Sequence, residues 1–169
     1  MNQTSVQAHS QPHLQRVRVA IVSSGWHREI VANATDAVRA ELGRATAPPD
    51  DIDHFEVPGA FEIPLHAMRL ARSGRYDAII ACGLIVDGGI YRHEFVASAV
   101  IDGLMRVQLD TDTPVFSVVL TPRDFHEHDA HRQFFAEHLV SKGIEAARTC
   151  VETLASLRRL PSPDDASRK

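Results

Sequence analysis

Two spacings of apolar residues alternate along the chain. Val17–Val22 (V-R-V-A-I-V) alternates and is rich in β-branched residues, and Ser23-Ser24-Gly25 then breaks it, which predicts a first strand. From His27 to Leu42, the residues Ile30, Ala34, Val38 and Leu42 recur every four positions on one helical face, with Gly43 and Pro48-Pro49 as the stop. Asp51–Val57 reads as a shorter strand stopped by Pro58-Gly59, and Phe61–Arg72 as a helix closed by Gly74. Tyr76–Val86 is almost continuously apolar, as a parallel strand covered on both sides must be. After Gly88-Gly89, the stripe Val96, Ala99, Val100, Gly103, Leu104 and Val107 predicts a helix over about Arg92–Leu109. Val115–Leu120 is a fourth buried strand, and two further helices, about Phe125–Val140 and Ile144–Leu160, are expected on either side of Ser141-Lys142-Gly143.

Strands that alternate with helices through short connections predict an α/β fold, a three-layer αβα sandwich around a four-stranded parallel sheet with flavodoxin-like winding. Residues 1–16 read as a flexible N-terminal arm, 17–160 as a single domain and 161–169 as a flexible tail. In such folds ligands bind beyond the carboxyl ends of the strands, where the winding reverses. Function is therefore expected in the loops Ser23–His27, Pro58–Glu62, Val86–His93 and Thr121–His128.

Composition narrows the classes. With 44% hydrophobic and 24% charged residues in 169, the chain has the makeup of a globular protein, not a disordered or fibrous one. A net charge of -4 gives no general attraction to nucleic-acid phosphates, so any anion binding must be local. Cys82 and Cys150 lie far apart in apolar segments with no C-x-x-C, and neither a secretory signal nor a membrane span is visible, which makes the cytoplasm the expected compartment. The glycine motifs of dinucleotide and P-loop nucleotide sites do not occur.

Within the loops, Trp26 is either a platform that stacks on a heterocycle or a core or interface residue. Glu62, at the start of a helix after Pro58-Gly59-Ala60, is either an acceptor for a ligand or a partner of the helix dipole. V-D-G-G-I-Y-R-H (Val86–His93) lets the backbone approach a ligand closely just before a helix. There His93 is either a proton-transfer group or a structural residue. His126, His128 and His131 form an H-x-H-x-x-H series that fits no familiar metal helix, so no metal site is expected and a solvated, pH-sensitive helix start is the simpler reading.

F-E-V-P-G-A-F-E-I-P (Phe55–Pro64), C-G-L-I-V-D-G-G-I-Y-R-H-E-F (Cys82–Phe95), P-V-F-S-V-V-L-T (Pro114–Thr121) and S-K-G-I-E-A-A (Ser141–Ala147) come in the order found in the lumazine synthases. The chain resembles that family over about Val17–Leu160. The resemblance implies condensation of 5-amino-6-(D-ribitylamino)uracil with 3,4-dihydroxy-2-butanone 4-phosphate to 6,7-dimethyl-8-ribityllumazine, the penultimate step of riboflavin biosynthesis, with no metal or organic cofactor. It implies Trp26 stacked on the pyrimidine, Ala60, Phe61 and Glu62 on the ribityl chain, and Leu84, Ile85 and Val86 on the pyrimidine edge. It further implies His93 as the catalytic histidine and Ser117 as a contact across a subunit boundary.

The usual G-x-V-I-R-G-x-T-x-H loop is altered here, lacking its Arg and Thr, so phosphate contacts are expected near Gly89 and Ile90, with His131 and Arg132 as the nearest cations. These departures resemble a second, divergent class of the family, for which a flavin- or lumazine-binding oligomer with little or no turnover is the alternative function. The resemblance also implies a homo-oligomer of pentamers. The Leu139–Gly143 linker between the last two helices is expected to disfavour the sixty-subunit shell and favour a dimer of pentamers, one that loosens in mild acid if the histidines face a partner ring.

Overall fold

The computed structural model describes residues 17–45, 51–90, 92–123, 125 and 129–161. Its elements are β1 (Val19–Ser24), α1 (Arg28–Ala45), β2 (Ile52–Val57), α2 (Ile63–Arg72), β3 (Ala78–Leu84), α3 (His93–Thr111), β4 (Val115–Leu120) and α4 (Asp129–Leu157), with a 3-10 turn at Ala60–Glu62 ahead of α2. The four strands are all parallel, in the order β2-β1-β3-β4. The α/β sandwich read from the pattern is the fold observed.

Every residue of β1 and of β3 is buried, which explains why these central strands carry almost no polar residues. α1 and α4 cover one face, where Ile30, Val38, Leu139 and Cys150 pack on Ile21 and Ile80. α2 and α3 cover the other, where Ile63, Ala67, Leu104 and Val107 meet Ala20 and Ile79. Register sets Ser24 opposite Val57 and Leu84 opposite Leu120, so the carboxyl ends of the strands finish level. The chain winds outward from β1 to β2, then crosses to β3 and β4, and the reversal opens a crevice between the ends of β1 and β3.

Three expectations need correction. Ser23 and Ser24 do not end β1 but belong to it. The Ser23 hydroxyl lies 2.8 Å from His54 Nε2 on the neighbouring strand, and the Ser24 hydroxyl donates to the Trp26 carbonyl at 3.5 Å, so buried hydroxyls are satisfied without leaving the ladder. The second correction concerns the end of the chain, where one 29-residue helix, α4, replaces the two expected helices. Ser141-Lys142-Gly143 is helical within it. A Cβ at Gly143 would stand 2.6 Å from the Ala34 carbonyl oxygen and 3.0 Å from Ala37 Cβ of α1. This glycine lets two helices cross closely; it does not terminate one. Gly43 likewise falls inside α1, which runs on to Ala45.

Candidate active site

Three of the four strand-to-helix connections meet in one crevice of about 780 Å³, and Phe125 from the fourth closes it. The first connection is held by the Gly25 N–H, which donates to the Val57 carbonyl at 2.7 Å. His27 then takes a left-handed conformation (φ 53°), and its carbonyl accepts from the N–H groups of Ile30 and Val31, starting α1. That turn leaves Trp26 72% exposed with its indole over the second connection. A Cβ on Gly59 would stand 3.9 Å from the indole, an ordinary contact, and 3.1 Å from Glu62 Oε2, so the tight fit at this position is with the Glu62 carboxylate.

The second connection is a capped turn. Glu62 Oε2 accepts the Gly59 N–H at 2.9 Å, so the carboxylate closes the start of the helix. One Glu62 oxygen thus caps the turn, and the residue also lines the crevice. In the third connection, the Ile85 N–H continues the sheet by donating to the Leu120 carbonyl at 2.9 Å. The chain then leaves the sheet through Val86, Asp87 and Gly88, with Gly89 at φ 75°, and α3 begins at His93. His93 is 17% exposed, with Nδ1 3.9 Å from Asp87 Oδ1 and 3.7 Å from Glu94 Oε2. Arg92 stacks its guanidinium on the Phe95 ring, 4.6 Å from the centroid.

Of the residues singled out in the sequence, Trp26, Ala60, Phe61, Glu62, Leu84, Ile85, Val86 and His93 all line this crevice. The others stand apart. Gly89 and Ile90 follow the lining residue Gly88, with Ile90 largely exposed. Ser117 sits exposed on the edge strand β4, where its hydroxyl accepts the Val119 N–H. Arg132 pairs with Glu29 of α1 at 3.0 Å, and His131 packs its ring edge to face with Phe135. Arg132 thereby belongs to the seam between α1 and α4, whereas the His131 contact lies within α4. His126 and His128 lie outside the described residues. Among the described residues, no group of three His, Cys, Asp or Glu side chains could hold a metal ion.

Four lining residues were not singled out individually in the sequence, His27, Asp87, Val96 and Phe125, although all but Val96 fall in the loops where function was expected. Phe125 read as the first residue of a helix. It is instead a buried aromatic between the His27 ring, 5.4 Å away, and Phe135, 5.5 Å away. No spacing signal identifies it, because the contact joins residues a hundred positions apart.

Taken together, the walls are mainly apolar and aromatic, with two imidazoles, two carboxylates and one guanidinium at defined places. Such a site suits a planar heterocycle with a hydroxylated substituent and a reaction needing proton transfer.

Residues 16–158 match the family model described as 6,7-dimethyl-8-ribityllumazine synthase. A Rhodococcus erythropolis protein named 6,7-dimethyl-8-ribityllumazine synthase is 60% identical over 149 residues, 88% of this chain and 96% of its own length. Two proteins named 6,7-dimethyl-8-ribityllumazine synthase 2 are also similar. That of Pseudomonas syringae pv. tomato is 49% identical over 99% of each chain, and that of Bradyrhizobium diazoefficiens 55% identical over 85% of this chain and 86% of its own.

Proposed function

Because the chain belongs to the 6,7-dimethyl-8-ribityllumazine synthase family, we propose that its crevice is where 5-amino-6-(D-ribitylamino)uracil condenses with 3,4-dihydroxy-2-butanone 4-phosphate. The observation that carries this reading is the meeting of Trp26, the Ala60–Glu62 turn, Leu84–Val86 and His93 around one cavity. In it the Trp26 indole stacks on the pyrimidine, the turn and Glu62 hold the ribityl hydroxyls, and the chain at Leu84–Val86 meets the pyrimidine edge. The 5-amino group adds to the ketone and loses water to form a Schiff base. Loss of the C3 proton and of phosphate from C4 then leaves an enol, its tautomerisation gives a carbonyl at C3, and the ribityl-bearing amine closes the ring onto that carbonyl with loss of a second water. Holding both reactants in one orientation supplies much of the acceleration. His93 moves the protons, a contribution of roughly 10²–10⁴-fold. The phosphate is received near Gly89 and Ile90. Of its expected cations, Arg132 is engaged by Glu29 on the α1–α4 seam and His131 packs on Phe135 within α4, so they contribute only through rearrangement or from a neighbouring subunit.

Assembly follows from α3. This helix buries Val100, Leu104 and Val107 on its own sheet yet leaves Ile101, Met105 and Leu109 exposed, and Phe61 and Leu65 are exposed on the adjoining turn and α2. A second apolar face of this kind calls for a partner. The occupant proposed is a neighbouring copy in a pentameric ring, which would also bring Ser117 of the edge strand toward another subunit's crevice. Pairing of rings into a decamer is proposed as well, although Leu139–Gly143, expected to link two helices, lies inside the unbroken α4. The work is proposed to take place in the cytoplasm, in keeping with two buried thiols. Among the described residues, no helix is long and apolar enough to cross a membrane.

Mixing the protein with both substrates and following lumazine fluorescence tests the reaction. No product, together with tight binding of flavin or lumazine, would favour the non-catalytic binding oligomer instead. His93→Ala is expected to lower turnover by at least an order of magnitude with pyrimidine affinity nearly kept. Light scattering at neutral pH tests assembly, and a particle near sixty subunits would reject the decamer.

A further inference from the structure

The crevice contains a carboxylate to which the reading above gives no task. Asp87 Oδ1 accepts the Gly89 N–H at 2.7 Å, closing a turn of the kind Asp side chains form with the backbone two residues on. The same oxygen is 3.9 Å from His93 Nδ1. We propose that Asp87 is the positioning residue for His93. It holds the imidazole with its proton on Nδ1, leaves Nε2 to exchange protons with the substrate, and stabilises the imidazolium that forms when Nε2 takes one. This rests on His93 being the acid–base group of the reaction.

Two carboxylates approach Nδ1, and the way each is held separates them. Asp87 is a short side chain pinned through the Gly89 N–H, in a turn whose shape the positive φ of Gly89 fixes. Glu94, at 3.7 Å, is a longer side chain, 62% exposed, that follows His93 directly in α3. Successive helical residues diverge by about 100° around the axis, so this pair does not stand face to face. The 3.9 Å separation is an ion-pair distance rather than a hydrogen bond, and a small ring rotation or one bridging water closes it when substrate binds.

The remaining charges around His93 come from three other places. Arg92 precedes it, Arg123 shares a pocket with it beyond β4, and Glu62 lines the crevice from the turn before α2. The two guanidinium groups oppose a third positive charge at His93. Asp87 is the fixed countercharge that offsets them on the Nδ1 side.

The test is Asp87→Asn in the full-length assembled protein, with both substrates. An Asn side-chain oxygen still accepts the Gly89 N–H, so the turn survives while the charge is lost. Turnover is expected to fall on the order of tenfold or more, as loss of tautomer control does elsewhere. The Michaelis constant for the pyrimidine should stay within about twofold. Asp87→Ser, whose hydroxyl can also cap Gly89, serves the same test if the Asn variant fails to assemble. A parent-like turnover, or a fall in turnover with a comparable rise in the Michaelis constant, overturns the proposal. If His93→Ala abolishes turnover while Asp87→Asn does not, only the role of Asp87 falls. If His93→Ala retains turnover, the reading of His93 falls with it.

Discussion

Two glycines in helices should respond to the same substitution with opposite signs. Gly143→Ala places a methyl group 2.6 Å from the Ala34 carbonyl oxygen, 3.3 Å from its carbonyl carbon and 3.0 Å from Ala37 Cβ. The obstruction is largely backbone, which cannot rotate aside, so α1 and α4 must part. A parting of roughly 0.5–1 Å forfeits a quarter to a half of the dispersion energy of each contact along the seam. Overpacking of this kind costs up to about 3 kcal/mol. Against it stands the gain of about 1 kcal/mol when Ala replaces Gly inside a helix. A net loss of about 2 kcal/mol is expected, which for a domain of this size lowers the melting temperature by roughly 4–8 °C. Gly43→Ala meets nothing within 4 Å and lies on an exposed position of α1, so only the propensity gain applies. It should raise the melting temperature by roughly 2–4 °C. Calorimetry at one fixed protein concentration, needed because assembly shifts apparent stability, measures both. A Gly143→Ala protein that melts at or above the parent would refute the close crossing.

Trp26→Ala should weaken pyrimidine binding by about 1–3 kcal/mol in a calorimetric titration while leaving stability nearly unchanged, since the indole is mostly exposed. Glu41 is held below the ordinary carboxylate range chiefly by its hydrogen bond from Arg148 of α4, with Arg44 helping and burial opposing. A depressed carboxyl stabilises the fold above its unfolded value and loses that contribution as pH falls through its folded one. Glu41→Gln should therefore be less stable than the parent at pH 7, with the gap closing below about pH 4 in denaturant titrations. Burial pushes the Cys82 and Cys150 thiols up to about 12, so a thiol reagent at pH 8 should label neither in the folded protein and both in denaturant.

The chain's periodicities alone determined most of the fold. Central strands bury both faces and must read as unbroken apolar runs, as Tyr76–Val86 does, and an amphipathic stripe such as Ile30, Ala34, Val38 and Leu42 has one stable use. Short connections between parallel strands then force the αβα layering and locate the site at the strand ends. Trp26, Glu62 and His93, singled out in those loops, line the crevice for that reason, and the family resemblance added Ala60, Phe61, Leu84, Ile85 and Val86. What the sequence could not carry is any property that depends on a partner far along the chain. Gly143 looks like a stop until Ala34 is found beneath it, and Ser23 looks like a break until His54 is found beside it. Arg132 looks available to an anion until Glu29 is found to engage it, and Phe125 joins the site only because α4 packs on α1. Local pattern encodes which face of an element is apolar. Only the packed tertiary structure decides which two faces meet, and so whether a glycine ends a helix or seats it, and whether a charge is spent on structure or left for a ligand.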